Sequence, residues 1–148
     1  MSSIPNPSLL ATHYLNATEE YLQKMSEVIK YLNNAKEILK KARKEGNVYL
    51  DLKLVRESFG TAYLAILESI NEKLIKKGFS KKQLPKSVDG YREMLKKYIA
   101  VHNGKLLREF EMLYDGLHIA GYYRGLIYNV EMVKDLLNAA EEFIKKIC

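Results

Sequence analysis

Asp51-Leu-Lys-Leu-Val-Arg-Glu-Ser-Phe-Gly60-Thr-Ala-Tyr-Leu-Ala-Ile-Leu-Glu-Ser-Ile70-Asn-Glu-Lys-Leu-Ile-Lys-Lys-Gly78 is the stretch that decides the fold class. Leu52, Val55, Phe59, Ala62, Tyr63, Ile66, Ile70 and Leu74 recur at helical spacing and stop at Gly78, a residue suited to ending a helix. Its longest unbroken apolar run, Ala62–Leu67, is far too short to span a bilayer.

Similar patterns flank it. Upstream, Leu22, Met25, Ile29, Leu32, Leu39 and Ala42, with Val28, Ala35 and Ile38 beside them, predict a long helix. Thr18 is its expected N-cap, Glu19 and Glu20 suit the first turn, and Gly46-Asn47 marks the stop. A shorter helix is expected over Pro7–Asn16, and residues 1–6 are expected to be disordered or extended, leaving one domain over 7–148. Downstream, Phe79–Lys86 with Pro85 reads as a loop and Ser87 as a cap for Tyr91, Met94, Leu95, Tyr98 and Ile99. His102-Asn103-Gly104 predicts a break or kink before Leu106, Phe110, Leu113, Tyr114 and Leu117. Gly121–Tyr128 reads as a connector, after which Asn129 caps a helix with Val133, Leu136, Leu137, Ala140, Phe143 and Ile147 inward. No stretch alternates as a strand would. The expected fold is an all-α, up-and-down four-helix bundle with a short extra N-terminal helix and a kinked third helix.

Composition narrows the function classes. The chain has 148 residues, 47% hydrophobic and 28% charged, with eleven Tyr and no Trp, enough for one self-sufficient core. Its single cysteine, Cys148, excludes an internal disulfide and a cysteine zinc site. The first twenty residues carry no Lys or Arg and no sustained apolar stretch, so no secretory signal is read there and a cytoplasmic location is expected. The formal charge is +6. Nine cations against two acids fall between Lys73 and Lys97, and Lys76, Lys77, Lys81 and Lys82 form a candidate basic patch for phosphate backbones. A solvated surface, with Lys73, Lys76 and Lys77 favoured at a helix C-terminus, is the simpler account.

Between Arg108 and Tyr122, Arg108, Glu111, Asp115, His118 and Tyr122 form a polar stripe beside the core face. Met112 and Ile119 lie nearly opposite the core. With Tyr122 and Tyr123 adjoining, they are the candidate homodimer contact. Chemistry is sparse. A di-iron bundle needs two Glu-x-x-His pairs, and only Asp115/His118 approaches one. Glu111 and Asp115 are explained by ion pairing with Arg108. Ser58, Ser69 and Thr61 read as packing or surface positions, and His13 and His102 lie near breaks. No phosphate-binding glycine loop is present. No catalytic residue, cofactor or metal site is assigned.

Tyr31-Leu-Asn-Asn-Ala-Lys-Glu-Ile-Leu-Lys-Lys-Ala42 is similar to the first helix of the HEPN-like (higher eukaryote and prokaryote nucleotide-binding) family, and Gly60-Thr-Ala-Tyr-Leu-Ala-Ile-Leu67 resembles its second. Phe110-Glu-Met-Leu-Tyr-Asp115, Ala120-Gly-Tyr122 and Ala139-Ala-Glu-Glu-Phe-Ile144 resemble its C-terminal third, so the likeness runs roughly from Lys24 to Ile147. The resemblance implies a four-helix bundle, bacterial relatives, and dimerisation near the end of the third main helix. Many members are ribonucleases, often toxins paired with a nucleotidyltransferase-like protein, and use an Arg followed four to six positions later by His. In the segment similar to Arg-Asn-x-Ala-Asp-Tyr this chain has Leu117-His118-Ile119-Ala120-Gly121-Tyr122, with Leu117 for the Arg and Gly121 for the acid. Arg92, Arg108 and Arg124 have no His at the required distance downstream. The expectation is therefore a non-catalytic, dimeric HEPN-like interaction module. Its partner would be another protein or a nucleotide-bearing ligand in a groove at His118, Tyr122, Tyr123 and Arg124. The alternative is a divergent RNA-binding or ribonuclease member using the basic patch with His118 or Arg124.

Overall fold

The structure, a computed structural model, describes residues 26–148. In chain order it contains α1 (Ser26–Lys40), a hairpin of β1 (Lys44–Glu45) and β2 (Val48–Tyr49), α2 (Leu52–Lys76) and a 3-10 turn at Lys81–Gln83. There follow α3 (Val88–Met94), prolonged by a π turn over Leu95–Ile99, and α4 (Gly104–Leu113), prolonged by a π-helical segment over Tyr114–Tyr123. Helix α5 (Val130–Ile147) closes the chain. The expectations placed on residues 1–6, Pro7–Asn16, His13, the Thr18 cap, Leu22 and Met25 lie outside the described residues.

The all-α bundle is the observed architecture, and α2 is its hub. Val55, Phe59, Ala62, Ala65, Ile66, Ile70 and Leu74 are fully buried. At about 100° per residue they spread over half the helix circumference, more than one apolar stripe, as a helix packed on several sides requires. Helix α2 accordingly packs on α1, on the π-helical segment and on α5. Two buried serines cost little because both hydroxyls are satisfied: Ser58 donates to the Ala35 carbonyl at 2.7 Å and Ser69 to the Ile66 carbonyl at 2.6 Å.

Cross-helix contacts fix the directions. Glu27 lies near Glu72 while Ala35 meets Ser58, so α1 and α2 are antiparallel. Tyr63 meets Tyr114 while Arg56 meets Tyr122, so α2 and the π-helical segment are antiparallel too. Glu109 pairs with Lys146, and Gly116 sits against Leu136, giving the same relation for α4 and α5.

Ser87 and Asn129 cap their helices as expected, and Asn103, read as part of a break, caps one as well. Ser87 accepts from the Gly90 amide, Asn103 from Leu106, and Asn129 from Glu131 and Met132, each at 3.0–3.2 Å. The interruption expected at His102-Asn103-Gly104 is sharper than a kink. Tyr91 bonds Asn71 and Tyr98 meets Phe79, so α3 travels the same way as α2. Arg92 then reaches Glu111 and Tyr114, so the chain has reversed between α3 and α4.

Two further expectations are corrected. The stop at Gly46-Asn47 is the tip of a β-hairpin, with Gly46 at φ +62° and Lys44 opposite Tyr49. Arg43 clasps Asp51 across its base, donating at 2.9 Å from Nη2 to Oδ1, and holds that carboxyl down at about 2. The hairpin is tied to the segment before α5, since Tyr49 donates to the Tyr128 carbonyl and Val130 to the Asn47 carbonyl. The connector expected over Gly121–Tyr128 is helical through Tyr123, with Gly121 buried, so the link to α5 is shorter than the glycines suggested.

Candidate functional site

The π-helical segment is built by tertiary contacts, since nothing in its own residues demands the wider i→i+5 turn. Gly121 lies under the ring of Phe59, where a Cβ would stand 2.5 Å from Cδ2. Gly60 admits the Tyr122 ring in the same way, its Cβ position falling 2.9 Å from Tyr122 Cδ2. At the end of the segment Arg56 donates from Nε to the Tyr122 carbonyl at 2.8 Å and from Nη2 to the Tyr123 carbonyl at 2.7 Å. A cation here meets the negative end of the helix dipole.

Tyr114, His118 and Tyr122, four residues apart, form a ladder of rings along this segment. His118 stacks on Tyr63 of α2 with centroids 4.8 Å apart and planes 22° apart; Tyr122 lies 6.1 Å beyond it and Tyr114 5.6 Å before it. Burial pushes the Tyr63 phenol up to about 12. The Arg92 guanidinium lies 5.0 Å from the centre of the Tyr114 ring and also grips Glu111, so Glu111 pairs across the reversal and not with Arg108 as expected.

Beside the ladder opens a groove of about 490 Å³, with Ile38 of α1 on one wall and His118 and Tyr122 on the other. Gly60, Thr61 and Leu64 of α2 line it as well, and among the described residues Glu57 is the only carboxylate there. Thr61 spends its hydroxyl on the Glu57 carbonyl at 2.8 Å. The groove therefore offers flat rings and aliphatic groups, a surface for burying apolar matter and not a nucleophile–base pair. Of the four residues expected to line such a groove, the structure brings His118 and Tyr122 together here. Tyr123, the last residue of the segment and 72% exposed, and Arg124 just past it do not line the groove. Tyr63, Gly60 and Leu64 were not anticipated as groove residues.

A second groove, about 380 Å³, lies between the α4 side and α5, bounded by Met112, Gly116, Ile127, Met132, Leu136 and Ala139, with Asp135 its one charged side chain among the described residues. Met112 and Met132 are 56% and 57% exposed. Ile119 is half-buried and lines neither groove. Its expected place on the Met112 face assumed α-helical turns, whereas the wider turn from Tyr114 onward carries it off that face. Met132, Leu136 and Ala139, spaced four and three apart, were legible as the matching stripe on α5.

The basic segment keeps its charge at the surface. Lys97 pairs with Glu93, and Arg92 with Asp89 and Glu111. Among the described residues Lys76, Lys77, Lys81 and Lys82 are exposed and make no ion pair. Phe79 and Tyr98 meet edge-on nearby at 4.8 Å. Among the described residues no three His, Cys, Asp or Glu side chains converge as metal ligands, and no helix is long and apolar enough to cross a membrane.

Comparison with known proteins places the whole arrangement in context. No curated protein matches the chain. A solved protein of unknown function from Dyadobacter fermentans is similar, at 31% identity and a TM-score of 0.68, over 84% of this chain and 92% of that one. A family model described as a domain of unknown function (DUF5618) matches residues 23–148. With that match covering every described helix and both grooves, the chain belongs to the DUF5618 family.

Proposed function

We propose that the chain is a non-catalytic helical interaction module of HEPN-like type that pairs with a second copy through the Met112–Met132 groove. One observation carries this reading: two methionines more than half exposed, on neighbouring helices, flank a groove with a single charged residue among those described. Methionine side chains adapt to an apposed apolar surface, and a two-fold axis is the commonest way to supply one. A catalytic role gains no support from the candidate residues, since His118 is sandwiched among tyrosines and Arg124 stands outside that groove. Sedimentation velocity tests the pairing. A dimer is expected at micromolar concentration, and Met112→Lys with Met132→Lys shifts it to monomer by forcing lysines into an apolar contact. A wild-type monomer at tens of micromolar ends the reading.

A second reading rests on lysines 76, 77, 81 and 82, exposed and without an ion pair among the described residues. It makes the α2–α3 loop an RNA-binding surface, with affinity falling steeply as salt rises. Mixed cellular RNA at low salt is the direct test, and absence of both binding and cleavage removes it.

A further inference from the structure

We propose that the aromatic groove is an intramolecular docking site for the chain's own N-terminal stretch, Met1–Thr18. The groove is bounded by three elements, α1 through Ile38, α2 through Gly60 and Leu64, and the π-helical segment through His118 and Tyr122. Leu64 and Tyr122 remain 47% and 44% exposed there, so an apolar trough lies open between helices that are otherwise packed. Its chemistry selects the occupant. With Glu57 as the only carboxylate among the described lining residues, and aliphatic groups and rings elsewhere, a charged segment would lose hydration and gain few partners. An uncharged, apolar segment loses nothing of that kind.

The sequence holds one long segment free of Asp, Glu, Lys and Arg and seeded with large apolar side chains. Met1–Thr18 has no Asp, Glu, Lys or Arg, the longest charge-free run in a chain that is 28% charged, and it carries Ile4, Leu9, Leu10, Tyr14 and Leu15. Its attachment point favours the same groove. The stretch leads into α1, the helix that forms one wall, and Ile38 stands about 18 Å along that helix from Ser26. Tyr31, a heptad before Ile38 and half-buried like it, continues the wall back toward the attachment point. Extended chain covers about 3.3 Å per residue, so the stretch can fold back along α1 and reach Leu64 with length to spare. The family match begins at residue 23 and includes the whole groove, so Met1–Thr18 lies outside the matched residues. Being tethered, the segment needs little intrinsic affinity, because its local concentration is set by the connection and not by the solution. The inference is independent of the pairing proposed for the methionine groove, which lies on other residues.

Disulfide trapping in the full-length chain tests it. In a Cys148→Ser background, Leu64→Cys is combined in turn with Leu9→Cys, Leu10→Cys and Tyr14→Cys, and each protein is oxidised mildly at low micromolar concentration. At least one pair is expected to close within a single chain, giving a monomer of altered mobility on a non-reducing gel. Closure only between chains assigns the groove to a second copy and overturns the proposal, as does closure by none of the three pairs. Backbone NMR supplies a readout without covalent capture. Leu10→Asp with Tyr14→Asp is expected to shift the amides of Thr61, Leu64 and His118 while leaving Met132 and Leu136 in place, and unmoved groove amides overturn the proposal equally.

Discussion

Replacing Gly121 by alanine probes the contact on which the π-helical segment rests. In a helix interior alanine is favoured over glycine by about 1 kcal/mol, so a site with room would gain stability. Gly121 has none: the new Cβ would lie 2.5 Å from Phe59 Cδ2 and 2.7 Å from the Gly116 carbonyl oxygen. Phe59 is fully buried, and the carbonyl is backbone, so neither neighbour yields without shifting its helix. Overpacking of this kind costs about 1–3 kcal/mol, and two contacts with no slack put Gly121→Ala at or beyond the upper end. Set against the helical gain, the net loss is about 2 kcal/mol, which for a chain of this size lowers Tm by about 4–8 °C. Gly60→Ala is the internal comparison. The three atoms nearest its Cβ, at 2.9–3.3 Å, all belong to the Tyr122 ring, which is exposed and can swing outward. Gly60→Ala should therefore stay within about 1 kcal/mol of the parent, since the helical gain offsets a small displacement. Urea unfolding of the two variants, compared at equal m-value, measures both numbers. A Gly121→Ala protein as stable as the parent, or less destabilised than Gly60→Ala, would refute the packing assigned to this segment.

Two other outcomes follow from charge. Arg56→Met keeps aliphatic contact with Gly125 but loses the donors to the Tyr122 and Tyr123 carbonyls; the urea midpoint should fall by the equivalent of about 1 kcal/mol, and an unchanged midpoint would make those bonds incidental. The Asp51 carboxyl sits at about 2 instead of its ordinary 3.8 because Arg43 bonds its charged form, so its stabilising effect is complete above pH 4 and drains away as pH falls through 2. Asp51→Asn should flatten that part of the acid unfolding curve, and superimposable curves for the two proteins between pH 4 and 2 would exclude the linkage.

What was legible in the sequence is what is local. Ser87, Asn103 and Asn129 cap helices with their own side chains, so each boundary could be read from one residue and its neighbours. The apolar spacing of α2 and α5 likewise carries its own period. Contacts between distant residues were hidden. The hairpin at Gly46 rests on two-residue strands tied to Tyr128 and Val130, too short to show alternation. The wider turn at Tyr114–Tyr123 answers to Phe59 and Arg56 on another helix, so α-helical geometry kept Ile119 beside Met112 when the chain does not. His118 and Tyr122 were picked out as candidates from the polar stripe, but their setting depended on Tyr63, distant in sequence. Glu111 had a plausible partner one turn away in Arg108 and takes Arg92 instead, because the reversal after α3 could not be told from a kink.

The position of α2 has a consequence for how the molecule comes apart. Helix α1, the π-helical segment and α5 each bury their apolar side against it, so no subset of them that omits α2 retains a continuous interior. Fraying at either terminus can be local, but melting of α2 strips the other three of their common partner at one stroke. Without α2, α4 and α5 still meet through Phe110 and Phe143, but α1, the π-helical segment and α5 lose the helix that all three pack against. Melting of α2 is therefore coupled to the loss of all three contacts, and the described bundle is expected to unfold cooperatively.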